Sequence, residues 1–256
     1  MNQEQEYRFP NNFIWGASTA AHQIEGNNVG SDWWAREHAE NTDIHEPSGD
    51  AADSYNRYEE DIRILAESGL SMYRFSLEWA RIEPEQGCFS KAQLLHYRKM
   101  IDTCKEYGVE PMVTLSHMTL PLWFAKQGGW LKPDADAYFA RYVEYALPIL
   151  HDVVWVCTIN EPNMVALTRG GTEGTDFVAS SLPAPDPKIS EMLVKAHRKA
   201  RNVLTALPKV KSGWTIACQA FHAMPGCESE MKEYQYPRED FFTEAAAGDD
   251  FVGVQA

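Results

Sequence analysis

Asn160, Glu161 and Pro162 follow Thr158-Ile159 and close the apolar run Val153-Val154-Trp155-Val156-Cys157. The run is short and rich in β-branched and aromatic side chains, the pattern of a strand buried on both faces of a parallel sheet. Pro162 has no amide hydrogen with which to extend a ladder, so Glu161 falls at the strand's carboxyl end. In barrels of alternating strands and helices, that end carries the chemistry. Burial there raises a carboxyl's pKa and lets it lend a proton near neutral pH. The neighbouring Asn160 amide offers both donor and acceptor to a hydroxyl-bearing ligand.

Six apolar runs read as strands: Phe13–Ser18, Met72–Leu77, Pro111–Leu115, the Val153 run, Val210–Ala217 and Asp250–Val254. Helical periodicity lies between them. Tyr55, Tyr58, Ile62 and Leu65 share one face and stop before Gly69. Ser90 with Gln93 has the form of a capping box opening a helix through Leu94, Tyr97, Ile101 and Cys104, ended at Gly108. Phe139, Tyr142, Val143 and Ala146 define a third helix, and Leu193, Ala196, Ala200, Val203 and Leu204 a fourth. A fifth is weakly marked within Glu228–Ala247. This alternation predicts parallel βα units. Loops rich in Gly, Pro and Asp, Asn27–Gly49 and Gly170–Pro187, follow the first and fourth strands, where a barrel builds its site. No glycine-rich phosphate-binding motif follows any strand.

The 256 residues, 44% hydrophobic, suffice for one sizeable core, and residues 1–256 read as a single α/β domain. Aromatic content of 12% fits either ring-lined sugar pockets or a large core. A net charge of −14 argues against nucleic acid and anionic membrane partners. The five cysteines lack C-x-x-C spacing and read as reduced thiols. Met1–Glu6 carries no basic or apolar leader signal, and no run approaches the ~18 apolar residues of a membrane span, so the expectation is cytoplasmic. His22 and Glu25 have H-x-x-E spacing but no third ligand, which makes a metal site improbable.

Four ordered motifs together resemble family 1 glycoside hydrolases, the β-glucosidase family of retaining enzymes. They are Phe13-Ile14-Trp15-Gly16-Ala17-Ser18 with Gln23-Ile24-Glu25-Gly26; Tyr73-Arg74-Phe75-Ser76-Leu77-Glu78-Trp79 through Pro84; His117 with Leu120-Pro121, Trp123 and Gly128-Gly129-Trp130; and Thr158-Ile159-Asn160-Glu161-Pro162. The resemblance implies a (β/α)8 TIM-barrel fold, no cofactor, and a small β-glycoside as substrate. It makes Glu161 the general acid/base and Asn160 the holder of the sugar's 2-hydroxyl. Gln23 and His117 would bond other hydroxyls, and Arg74 would neighbour the nucleophile.

Two departures stand out. Met118 occupies a position where the family usually has an aromatic. The late Thr-Glu-Asn-Gly type motif that carries the family's nucleophile is absent, although retaining hydrolysis needs a second carboxylate about 5–5.5 Å from the first. About six of eight strands are legible, so the chain reads as the N-terminal three-quarters of a barrel that carries the acid/base half and is inactive alone. A complementing polypeptide or a second copy is expected to cover its open edges. The alternative of another class is a non-catalytic sugar-binding or assembly subunit on the same scaffold. A metal-dependent barrel hydrolase ranks far behind.

Overall fold

The computed structural model describes residues 8–168 and 183–256. Most of the Gly170–Pro187 loop and the Met1–Glu6 segment lie outside the described residues. Strands β1 (Gly16–Ser18), β2 (Met72–Ser76), β3 (Glu110–Ser116), β4 (Trp155–Asn160), β5 (Lys211–Ala217) and β6 (Phe251–Gln255) form one parallel sheet in sequence order. After β1 come helices α1 (Ala21–Ile24), α2 (Asp32–Glu37) and α3 (Ser54–Glu67). After β2 come α4 (Trp79–Ile82) and α5 (Lys91–Glu106), and after β3 come α6 (Leu122–Lys126) and α7 (Ala135–Leu150). Then follow α8 (Pro162–Thr168) and α9 (Pro187–Leu204) after β4, and α10 (Glu228–Gln235) and α11 (Phe241–Ala245) after β5. This is the βα repeat of a TIM-type barrel wall.

The sheet curls strongly. In a flat sheet β2 and β6 would stand roughly 19 Å apart, four strand spacings. Yet Arg74 of β2 donates to Gln255 Oε1 of β6 at 3.2 Å. Ser18 of β1, Asn160 of β4 and Thr215 of β5 reach the same guanidinium, so five strands turn one face inward on a common point. The opposite face carries Tyr73, Phe75, Val113, Leu115 and Trp214, all buried in the core with the helices. Most aromatic side chains pack that core rather than lining a pocket: Trp79 stacks on Tyr142 at 5.1 Å and meets Phe124 at 4.9 Å.

The local signals act as their chemistry dictates, with exceptions. Asp186 caps α9 by accepting from the amides of Lys188 and Ile189, with Pro187 at the first helical position. Ser90 accepts from the Gln93 amide at 3.3 Å, but the Gln93 side chain takes the Tyr55 hydroxyl instead of closing a capping box. The first strand is shorter than its apolar run. Phe13, Ile14 and Trp15 lie outside the ladder and are exposed, and Phe13 and Trp15 cluster with Phe9 at ring distances of 4.5–4.8 Å. The Asn27–Gly49 loop contains α2, capped by Ser31. The expected helix in 228–247 is three pieces, α10 and α11 joined by a π-helical turn at Tyr236–Asp240. Among the described residues, β1 and β6 each have one unpaired edge, and Val254 on the outer face of β6 is 67% exposed. No helix among the described residues is long and apolar enough to cross a membrane.

β5 and β6 approach closely at Gly213, where an added Cβ would sit 2.0 Å from the Phe251 carbonyl oxygen. The clash is with backbone, so no rotamer relieves it. Gly213→Ala should lower unfolding free energy by about 2 kcal/mol or more, read from urea midpoints. An unchanged midpoint would contradict this β5–β6 pairing.

Candidate active site

The inward cluster is built around Arg74, which is 7% exposed. Its Nη1 donates to Asn160 Oδ1 at 3.0 Å and Thr215 Oγ1 at 3.2 Å. Its Nη2 donates to Gln255 Oε1 at 3.2 Å and Ser18 Oγ at 3.3 Å. Asn160 Oδ1 also accepts from Thr215 Oγ1 at 3.0 Å and Gln255 Nε2 at 2.8 Å. The Asn160 Nδ2 then faces His117 Nε2 at 3.1 Å. Arg74, Asn160 and His117, chosen from three separate motifs, therefore form one network.

A bulge aims the end of β4. Cys157 pairs with Gly213 and Asn160 with Thr215, so three steps on β4 match two on β5. The additional residue brings Asn160 opposite Thr215 on the inner face, whereas Thr158 points outward to His197 of α9. Glu161 follows with φ of +48°, a left-handed conformation that non-glycine residues rarely adopt. It is held there by Glu161 N–H donating to Thr215 O at 2.7 Å and by α8 starting at Pro162. Among the described residues nothing donates to the Glu161 carboxylate. Partial burial raises its pKa, and the Arg74 charge pulls the other way. His117 is pushed down to about 4 by burial and then by Arg74, so its ring is neutral. Met118 beside it also has a positive φ, +68°.

Gln23 on α1 is exposed, and its side chain makes no hydrogen bond among the described residues. It is not part of the Arg74 network. His22 and Glu25 diverge: His22 pairs with Glu37 at 2.9 Å, whereas Glu25 turns inward to Arg81 Nε at 2.8 Å and Tyr97 Oη at 3.0 Å. The same buried layer holds Glu78, which caps α4 at the Ala80 amide and accepts from Thr119 Oγ1 at 2.8 Å, while its own amide donates to Tyr97 Oη. The chain Glu25–Tyr97–Glu78–Thr119 thus ties the loop bearing Gln23 to the loop bearing His117. Thr215, Gln255 and Glu78 were not singled out from sequence, and Glu25 was weighed only as a metal ligand. The available signals were a polar residue inside a strand and carboxylates embedded in otherwise apolar motifs.

The family model for glycosyl hydrolase family 1 matches residues 5–232, and the chain belongs to that family. A β-glucosidase A of Acetivibrio thermocellus is 41% identical over 168 residues, 62% of this chain and 37% of that protein. Solved structures agree. The β-glycosidase BGL167 superposes with a TM-score of 0.85 at 38% identity, covering 96% of this chain and 65% of that one. The β-glucosidase of Thermotoga maritima, solved with cyclophellitol, gives 0.81 at 28% identity with the same two coverages. The chain therefore spans under two thirds of each of these proteins.

Glu25 provides a pH test of this layer. Burial foremost, then the Glu78 charge, raise its pKa to about 7 from 4.5, against the lowering by Arg81 and Tyr97. A carboxyl raised in the folded state stabilises when protonated, so its contribution is complete below about pH 4.5 and lost as pH rises through about 7. That is roughly 3 kcal/mol. Glu25→Gln should flatten the decline in melting temperature between pH 5 and 8, and an equally steep decline in the variant would assign the titration elsewhere.

Proposed function

We propose that this chain carries the acid/base half of a retaining β-glycosidase acting on small β-glycosides of the β-glucoside kind. The observation that carries the reading is Glu161: a half-buried carboxyl of raised pKa at the end of β4, beside Asn160 and the buried Arg74. In the reaction, a second carboxylate attacks the anomeric carbon while Glu161 gives its proton to the departing glycosidic oxygen. Glu161, now ionised, then takes a proton from water as that water displaces the enzyme carboxylate. Arg74 would face the second carboxylate and favour its ionised, nucleophilic form. Asn160, His117 and Gln23 would hold the glycone. The leaving group would lie on the Glu161 side, near the start of α8.

Among the described residues no carboxylate is within ion-pair reach of Arg74. We therefore expect no Glu161-dependent release of nitrophenol from an aryl β-glucoside by this chain alone. A chain extended to supply the second carboxylate should turn the substrate over. In it, Glu161→Gln should lower kcat about 10²- to 10⁴-fold for a poor leaving group, with azide restoring turnover of an activated one. Equal rates for Glu161→Gln and the parent would remove Glu161 from the chemistry. Glycoside binding without turnover in the extended chain would favour a non-catalytic sugar-binding subunit.

The unpaired edges of β1 and β6 and the uncovered outer face of β6 support a complementing polypeptide or a second copy as partner. Sedimentation velocity on the purified chain should reveal self-association. A compact monomer that stays soluble at high concentration would refute that expectation.

A further inference from the structure

Arginine can only donate, and its charge is permanent. Arg74 therefore dictates the orientation of both amides it touches: the oxygens of Asn160 and Gln255 must face it. With its oxygen committed, Gln255 turns its Nε2 towards Asn160 Oδ1 at 2.8 Å and Thr215 Oγ1 at 3.0 Å. Asn160 Oδ1 then receives three donors and has no lone pair to spare. The Asn160 NH2 is left to face His117 Nε2 at 3.1 Å, which must accept, so the His117 proton sits on Nδ1. His117 Nδ1 is buried without a partner among the described residues, so no contact on that side competes for the tautomer.

We propose that Gln255, with Thr215, is a positioning residue that transmits the donor-only character of Arg74 to Asn160 and His117. It fixes Asn160 as a donor towards the ligand and His117 in its Nδ1–H tautomer. The ligand half of this inference rests on the glycoside reading above. At the position held by Asn160, the sugar must present an oxygen lone pair, as a hydroxyl does. A group that only donates, such as the ammonium of a 2-amino-2-deoxy sugar, meets the remaining Asn160 N–H and is refused.

The lock is tested without any sugar by long-range ¹H–¹⁵N correlation of the histidine rings in the intact chain. The expected result is His117 in the Nδ1–H form. Asn160→Asp puts an acceptor against Nε2 and should move the proton to that nitrogen. Arg74→Met, with Gln255→Leu as a milder second variant, should let the Asn160 amide turn and the Nε2–H form appear. A wild-type Nε2–H ring, or a tautomer unmoved in Asn160→Asp, overturns the lock. For the ligand half, methyl β-glucoside and its 2-amino-2-deoxy counterpart are titrated into the extended chain of wild-type sequence at Asn160. The hydroxyl sugar should bind at least ten-fold tighter, and the preference should shrink in Asn160→Asp, where a carboxylate accepts from the ammonium. Equal affinity in the wild type overturns the polarity rule. Binding of neither sugar overturns the glycoside reading, with the tautomer result standing apart.

Discussion

Arg74 holds a full positive charge inside the curled sheet, and every hydrogen bond it makes among the described residues goes to a neutral oxygen. Taking an ion out of water costs several kcal/mol unless an opposite charge or a complete set of dipoles replaces the solvent. Elsewhere this chain uses opposite charge: Arg81 meets Glu25, Arg98 meets Asp152, and Arg201 meets Asp249. At Arg74 it uses dipoles, drawn from β1, β4, β5 and β6. The guanidinium thereby fixes how these strands face one another, and the curl of the sheet and the polarity of the site are two expressions of one buried cation.

The same charge divides the proton chemistry around it. Burial drives Glu161 towards its protonated form, and Arg74 restrains that rise. His117, under the same cation and more deeply buried, stays neutral. One layer behind, Glu25 and Glu78 share the neighbourhood of a single Arg81, and burial raises both. The strained backbone at Glu161 and Met118 belongs to this picture: unfavourable dihedrals persist where surrounding bonds over-determine them, and here they flank the cluster.

The strands were legible because parallel strands buried on both faces are apolar runs: β2, β3, β5 and β6 fall within one residue of those runs, and β4 starts two and ends three residues later than its run. The first run misled because Phe13 and Trp15 spend their apolar surface on each other and on Phe9 rather than on a ladder. The α2 helix was hidden by a loop-like composition, although Ser31-Asp32 carries a capping signal. Glu161, Asn160, Arg74 and His117 could be named from motifs, but their mutual bonds could not. Joining them requires the β4 bulge and the curl, both tertiary facts. Thr215 and Gln255 escaped notice because a polar residue in a short strand ordinarily means a solvated face, and only closure of the sheet turns that face inward.

The backbone of Glu161 is tied to β5 through the Thr215 carbonyl and to β4 by chain continuity, and α8 begins immediately after it. Two scaffold strands thus set the bearing of the Glu161 carboxyl, the proton donor under the reading proposed above. A carboxyl anchored through main-chain bonds keeps its direction when the side chains around it are exchanged.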